Sequence, residues 1–185
     1  MRPDRSGPDR IEILSVGREL LRGKITDGNA RKIAAQFSEQ GAEVQRITVV
    51  DDDQRAIAEA MREALERNPH LLVTTGGLGP APDDLTLAAL SDTLKLPLSI
   101  NHEAKTLVEE TYSKMAQAKL VPTGGLNMAR EKMCRRPVGS TAVPNPFGIS
   151  PGVICRLPGG AGVLCLPGRP FEMQTTLQAA MPRLK

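Results

Sequence analysis

Short apolar segments alternate with amphipathic helical ones along the first half of the chain. Three of these segments are predicted strands: residues 11–16, 44–50 and 71–75. Apolar residues at helical spacing predict a helix over Asn29–Gln40 that ends at Gly41, and the acidic run 51–53 is typical of a second helix start. Residues 71–75 are too apolar to have a solvated face. The alternation therefore predicts an α/β fold whose mostly parallel sheet is covered on both faces.

The second half of the chain continues this alternation, but one pair of its predicted strands is antiparallel. Residues 153–157 and 163–166 flank the turn sequence Pro158-Gly-Gly-Ala-Gly162, which predicts an antiparallel hairpin at or near the sheet edge. The remaining predicted elements are helices over 84–94, 103–118 and 170–184 and a short strand over 96–100. The first ten residues contain no apolar core, so we expect a disordered, solvated tail over residues 1–10. Since no repeat or linker divides the rest of the chain, we expect a single domain over 11–185.

Composition excludes several classes of protein. With 185 residues, 40% of them apolar and 24% charged, the chain can bury a core, so intrinsic disorder is excluded. No run of about 18 apolar residues exists that could span a membrane. The three cysteines have no C-x-x-C spacing, which argues against a disulfide framework or a zinc site and favours a cytoplasmic location, with Cys155 and Cys165 in the core.

Basic residues are concentrated in one region. Between positions 114 and 137, six Lys and Arg residues stand against one Glu. Such a patch could contact nucleic acid or a phosphorylated small molecule, or it could be an ordinary solvated face. With three Phe, one Tyr and no Trp, the chain has few rings on which bases could stack, so we expect nucleic acid to be an unlikely partner.

The sequence TTGGLGPAPDDLT at 74–86 runs from an apolar strand through a glycine-rich turn into a helix. Ligands of parallel sheets bind at the carboxyl ends of the strands, and glycines let the backbone approach a phosphate. The candidate phosphate-binding residues are Thr75, Gly76, Gly77 and Gly79. Asp83 and Asp84 would repel a phosphate unless a divalent cation lay between them, so they are the candidate catalytic and metal-binding residues, for Mg²⁺ or a similar ion. The alternative is that Asp83 caps the helix and the glycines only form a turn.

Two further polar segments follow predicted strands. Residues 17–30 supply Glu19, Asp27 and Asn29, and residues 166–173 supply Gly168, Arg169 and Glu172. We expect Arg169 to pair with a phosphate and Glu172 to hold a metal or a ribose. The alternatives are ordinary loop polarity with a helix cap in the first segment and a Pro-Gly turn before a helix in the second.

Four segments together resemble a known family: GRELLRGKITDGNA at 17–30, TTGGLGPAPDDLT at 74–86, NPFGISPG at 145–152 and LPGRPFEM at 166–173. They resemble the MoaB/Mog family of molybdopterin-binding domains, and within it the amino-terminal domain of the competence/damage-inducible CinA proteins. The resemblance implies a three-layer α/β/α sandwich that binds a small-molecule nucleotide or pterin phosphate at the carboxyl edge of its sheet. It also implies a homo-oligomer.

The same resemblance implies chemistry at a phosphoanhydride. In adenylyltransferase members, the aspartate that matches Asp84 supports metal-dependent transfer of AMP to the pterin, whereas CinA-type members are credited with ADP-ribose pyrophosphatase activity. Adenylyltransferases have arginine where this chain has Asp83, so we expect metal-dependent pyrophosphate hydrolysis, with adenylyl transfer or non-catalytic binding as the alternatives. Arg18 replaces a small polar residue of the family and could serve a phosphate or obstruct the pocket. Full-length CinA proteins carry a carboxy-terminal deamidase domain, which we do not expect here.

Overall fold

The computed structural model describes residues 9–184, so residues 1–8 of the predicted tail over 1–10 lie outside the described part. The tail prediction is wrong at Arg10, which begins the first strand because it pairs with the neighbouring strand at Glu43. The strands are β1 (Arg10–Val16), β2 (Glu43–Val50), β3 (Leu71–Thr75), β4 (Leu98–Ile100), β5 (Arg135–Pro137), β6 (Thr141–Val143), β7 (Gly152–Arg156) and β8 (Gly162–Leu166). The helices are α1 (Arg18–Leu21), α2 (Gly28–Ser38), α3 (Gln54–Glu66), α4 (Thr86–Leu94), α5 (His102–Gln117), α6 (Met128–Lys132) and α7 (Pro170–Ala180), followed by a 3-10 turn over Met181–Arg183.

Six strands form one sheet in the order β2-β1-β3-β8-β7-β6. The pairs β1/β2, β1/β3 and β3/β8 are parallel, whereas β7 runs antiparallel to both β8 and β6. The hairpin predicted around Pro158 is therefore the β7–β8 pair, one strand in from the edge that β6 forms. This arrangement confirms the mostly parallel sheet with an antiparallel hairpin near its edge.

Alternate residues of the central strands supply two separate cores. On one face, Leu14 and Leu72 pack with residues of α3 and α4 such as Met61 and Leu90. On the other face, Ile13 and Val73 pack with residues of α2 and α7, which include Ile33, Phe37, Met173 and Leu177. Because side chains of a strand point alternately to the two faces, strands this apolar need helices on both sides. The three-layer α/β/α sandwich is confirmed.

Side-chain caps fix where the helices that border the sheet begin. Asp27 accepts a hydrogen bond from the amide of Ala30 at the start of α2, and Asp53 does the same for Ala56 at the start of α3, both at 2.9 Å. The acidic run 51–53 thus starts a helix, as predicted. The suggestion that Asp83 caps the next helix is wrong, because α4 begins after Leu85, which provides no side-chain cap.

A third, smaller cluster lies beside the main sheet. There the antiparallel pair β4/β5 accompanies α5 and α6, with Val108, Tyr112, Met133 and Cys134 buried between them. Two members of the predicted basic patch belong to this interior: Arg136 is 1% exposed and Arg130 is 8% exposed. The patch over 114–137 is therefore not one continuous basic surface, which weakens the nucleic-acid interpretation further.

The buried polar groups of this region are held by backbone carbonyls. The Arg136 guanidinium donates to the carbonyls of Met133, Pro151 and Gly152 at 2.8–3.1 Å, and burial lowers its pKa to about 10.

All three cysteines are buried and free, and burial raises the pKa of Cys155 to about 12 and that of Cys165 to about 11. Within residues 9–184, no helix combines the length and apolarity that crossing a membrane requires.

Candidate functional site

A cleft of about 590 Å³ opens where the parallel strands end. The carboxyl ends of β1, β2, β3 and β8 share this edge, and the chain segment after each of them contributes to the wall. Every candidate site residue from the sequence lines the cleft: Glu19, Asp27, Asn29, Thr75, Gly76, Gly77, Gly79, Asp83, Asp84, Gly168, Arg169 and Glu172. Residues that are up to about 150 positions apart meet here because parallel strands deliver their following loops to one edge.

The glycine loop after β3 has a backbone that other residues could not adopt. Gly76 has φ +103°, and a Cβ there would lie 2.3 Å from the carbonyl oxygen of Val16. Its amide donates to the carbonyl of Leu166 at 3.0 Å, so this amide is already used by the fold. The amides of Gly77, Leu78 and Gly79, in contrast, have no hydrogen-bond acceptor within residues 9–184. They are the donors that an anion entering the cleft can use.

The two adjacent aspartates differ in how they are held. Asp84 Oδ2 accepts a hydrogen bond from the amide of Ala81 at 2.8 Å, which closes the turn before α4. Asp83 is exposed at the cleft wall, and Lys132 of α6 donates to the carbonyl of Ala81 beside it. No group of three or more His, Cys, Asp or Glu side chains within the described residues could hold a metal ion. A cation here would need ligands from the bound molecule or from water.

The start of α2 ties three walls of the cleft together. The Asn29 side-chain amide donates to Thr75 Oγ1 at 3.0 Å and to the carbonyl of Gly168 at 2.7 Å, and Thr75 Oγ1 donates to the carbonyl of Pro167 at 2.9 Å. The second carboxylate oxygen of Asp27 and the side-chain oxygen of Asn29 are buried and have no donor among the described residues. Buried acceptors without a donor are costly, so these two oxygens favour a ligand that donates hydrogen bonds.

The opposite wall is fixed by a hydrogen bond between two of the segments singled out in the sequence, NPFGISPG at 145–152 and LPGRPFEM at 166–173. The Asn145 amide donates to Glu172 Oε2 at 2.8 Å and to the carbonyl of Ser150 at 3.0 Å. Arg169 lies 3.7 Å from the other oxygen of Glu172, with its side chain 87% exposed. Glu172 Oε2 therefore holds the wall, and Oε1 faces the exposed guanidinium of Arg169. That Glu172 holds a metal or a ribose and that Arg169 pairs with a phosphate stay predictions.

The cleft has a strongly acidic lining. Its carboxylates are those of Glu19, Asp27, Asp52, Asp83, Asp84 and Glu172, and its one cation from the described residues is Arg169. An anionic ligand meets favourable amides in the glycine loop and unfavourable carboxylates around it.

The family model of the probable molybdopterin binding domain matches residues 12–185. The chain belongs to this family. A protein of Pyrococcus horikoshii is 37% identical over 174 residues, which are 94% of this chain and 68% of the relative, and a protein of Pyrococcus abyssi is 39% identical over 176 residues, with shares of 95% and 69%. A Pyrobaculum arsenaticum relative is 38% identical over 174 residues, and the chain spans 62% of its length. The chain thus spans about two thirds of the length of these relatives.

Solved structures agree with the family. The crystal structure of the protein CinA, of unknown function, from Thermoplasma acidophilum has a TM-score of 0.85 and 32% identity, over 95% of this chain and 99% of that one. The molybdopterin biosynthesis enzyme MoaB from Thermus thermophilus has a TM-score of 0.62 and 24% identity, over 94% and 90% of the two chains, which is a likeness of fold alone. The predicted MoaB/Mog-like fold and the resemblance to CinA are confirmed.

One acidic residue of the cleft, Asp52, was not predicted from the sequence. Asp52 lines the cleft and accepts a hydrogen bond from the amide of Arg18 at 2.8 Å. Its position could have been predicted, because Asp52 lies two residues after the end of β2, at the same edge of the parallel sheet. The Arg18 side chain turns to Asp51 instead of the cleft, at 2.7 Å, and its guanidinium holds the pKa of Asp51 below its ordinary value. Arg18 is not part of the cleft lining, so it does not obstruct the pocket.

Proposed function

We propose that this domain binds a nucleotide or pterin that carries a diphosphate and hydrolyses the diphosphate with a divalent cation, as in ADP-ribose hydrolysis. The observation that carries the proposal is the composition of one cleft wall. Amides without acceptors at Gly77–Gly79 are suited to phosphate oxygens, while the carboxylates of Asp83 and Asp84 line the same cleft.

Electrostatics explains why this combination favours a metal ion. Two like unit charges 4 Å apart near a protein surface repel each other by about 4 kcal/mol. A diphosphate beside several carboxylates would meet this repulsion more than once, and Arg169 alone cannot offset it. A divalent cation between carboxylate and phosphate reverses the sign of the interaction.

The residues present fit Mg²⁺ or a similar hard cation. Mg²⁺ is usually bound by one or two carboxylates, with the remaining positions filled by substrate phosphates and water, so a larger cluster of protein ligands is not needed. Asp83 is exposed to the cleft, and Asp84 retains Oδ1 as an acceptor while Oδ2 holds the amide of Ala81. When bound, such an ion would neutralise charge on the phosphates and polarise a phosphoryl oxygen.

The protein's own groups would hold the two ends of the ligand. The amides of Gly77–Gly79 bind phosphate oxygens, and the free oxygens of Asp27 and Asn29 accept hydrogen bonds from hydroxyl or amino groups of a ribose or pterin. Hydrolysis adds one water across the anhydride: a bond forms between the water oxygen and phosphorus, the bridging P–O bond breaks, and the proton leaves to solvent. For ADP-ribose, the two products are AMP and ribose 5-phosphate.

Adenylyl transfer to a pterin phosphate is the second candidate function. It breaks the same kind of anhydride but uses a phosphate oxygen of the pterin as the attacking group. The match to the molybdopterin-binding family model supports it. The third candidate is that the domain binds such a ligand without catalysing a reaction.

A matched pair of variants tests the proposal. Purified protein is incubated with ADP-ribose and Mg²⁺ or Co²⁺, and in parallel with ATP and molybdopterin, and AMP release and adenylylated pterin are quantified. Asp84→Asn keeps an oxygen for the amide of Ala81 but removes the charge, so we expect turnover to fall roughly 100-fold or more, in the range of a lost electrostatic contribution. Asp92→Asn on α4 removes the same charge outside the cleft and should leave turnover unchanged. Binding without turnover of either substrate in the wild type would refute the enzymatic proposal.

A further inference from the structure

Two phenylalanines lie exposed beside the cleft. Phe147 is 65% exposed and Phe171 is 60% exposed, and their ring centroids are 4.9 Å apart. The chain has only three Phe and one Tyr, and the other two aromatic residues, Phe37 and Tyr112, are buried in the cores. A chain with so few aromatic rings therefore keeps two of them together in solvent.

The position of the pair is set by the cleft wall. Phe171 stands between Pro170 and Glu172, which line the cleft, and Phe147 precedes Ile149 and Ser150, which also line it. The hydrogen bond from Asn145 to Glu172 joins the two segments. They approach so closely that a Cβ at position 148 would lie 1.8 Å from Glu172 Oε2. The two segments that carry the rings are thus braced against each other beside the cleft, and the rings themselves lie outside its lining.

The geometry leaves ring surface for a third planar group. The interplanar angle of 58° shows that the two rings do not stack face to face on each other. The cleft lining within the described residues contains no aromatic side chain, although the proposed ligand is a planar heterocycle attached to a diphosphate. Aromatic rings stack on such heterocycles largely independently of the identity of the heterocycle.

We propose that Phe147 and Phe171 form a stacking surface for the purine or pterin ring of the ligand whose phosphates are bound by the glycine loop. This assignment rests on the proposed function of the cleft and adds to it the residues that recognise the ring. The phosphate-binding amides and the ring-binding pair are then separate parts of one site, so they can be tested separately.

The test compares ligands with and without a ring by calorimetry in the presence of Mg²⁺. The probes are ADP, a pterin diphosphate and inorganic pyrophosphate. For Phe147→Leu/Phe171→Leu, we expect affinity for the ring-bearing probes to fall roughly 5- to 100-fold, with less than a twofold change for pyrophosphate. The larger of the two losses identifies which ring the surface fits. Phe147→Tyr/Phe171→Tyr should retain wild-type affinity, and Leu120→Ala, which alters an exposed apolar side chain outside the cleft, is the control.

Equal losses for all three probes, or no loss for any, would overturn the stacking assignment while leaving the proposed function intact. If sedimentation shows that the leucine variant changes its oligomeric state without losing affinity for ADP, the pair is a contact between copies and the assignment is wrong. If the wild type binds neither pyrophosphate nor a ring-bearing probe, the proposed function fails and the assignment fails with it.

Discussion

Truncating Asn145 tests whether the wall of the cleft depends on a single side-chain amide. Asn145 is 8% exposed, and its amide donates to Glu172, which is 9% exposed. Losing a hydrogen bond to a charged acceptor costs about 1.5–3 kcal/mol, and losing the bond to the Ser150 carbonyl adds about 0.5–1.5 kcal/mol. Arg169 lies 3.7 Å from Glu172 but is almost fully exposed, so it can compensate for at most about 1 kcal/mol.

For Asn145→Ala we therefore expect the free energy of unfolding to fall by about 2–4 kcal/mol. In a domain of this size, that corresponds to a decrease in Tm of roughly 5–15 °C, which calorimetry measures directly. Urea unfolding should show a lower midpoint with an unchanged slope, because the surface exposed on unfolding stays the same.

A double-mutant cycle with Glu172→Gln identifies the origin of the loss. If the cost arises from a buried carboxylate that has lost its donor, the double variant should be more stable than the sum of the two single losses by about 1 kcal/mol or more. Additivity within about 0.5 kcal/mol would show that the two side chains do not interact, and a decrease in Tm below about 2 °C for Asn145→Ala would refute the estimate itself.

Three further predictions concern backbone, pH and charge. Gly76→Ala would place a side chain at φ +103° with its Cβ 2.3 Å from a backbone oxygen, so we expect the free energy of unfolding in urea to fall by about 3 kcal/mol or more. Gly125→Ala, where the space around the Cβ is open, is the control and should leave stability unchanged. Burial raises the thiol pKa from 9.0 to about 12 in Cys155 and to about 11 in Cys165, so the unfolded state releases these protons first and stability should fall as pH rises from 9 to 11. Unfolding followed at each pH should show that the free energy of unfolding falls more steeply in the wild type than in Cys155→Ala/Cys165→Ala, by up to about 3 kcal/mol per pH unit. Arg18→Ser should change the affinity for ADP less than twofold by calorimetry, because the Arg18 side chain contacts Asp51 outside the cleft.

Much of the fold and of the candidate site follows from local sequence. The apolar run Leu71–Thr75 predicts a central parallel strand because a strand with no polar face must be covered on both sides, and β3 is indeed fully buried. Once the sheet is parallel, the segments after its strands must share one edge. This rule alone brings Asp27, Asp84 and Arg169 to the same cleft without any knowledge of distances.

The parts that could not be predicted depend on side-chain direction and long-range packing. The three aspartates of the run 51–53 have three different roles: Asp51 pairs with Arg18, Asp52 lines the cleft and Asp53 caps α3. The sequence shows only three identical residues in a row and does not reveal which role each side chain has. Similarly, Arg136 is adjacent in sequence to the exposed Arg135 but is fully buried, where its guanidinium donates to the nearby carbonyl of Met133 and to the carbonyls of Pro151 and Gly152 at the start of β7.

The acidic cleft is a property of the fold rather than of the composition. The chain as a whole carries a formal net charge of +3, yet six acidic side chains and one basic side chain line the cleft. These carboxylates come from four segments, those that follow β1, β2, β3 and β8, which the parallel strand ends bring together. A concave site lined by one sign of charge concentrates counter-ions, so cations gather in the cleft before any phosphate arrives. Under the proposed function, the amides of Gly77–Gly79 would act on an anion whose charge a cation has already reduced, so we expect a metal-bound diphosphate to bind more tightly than a free one.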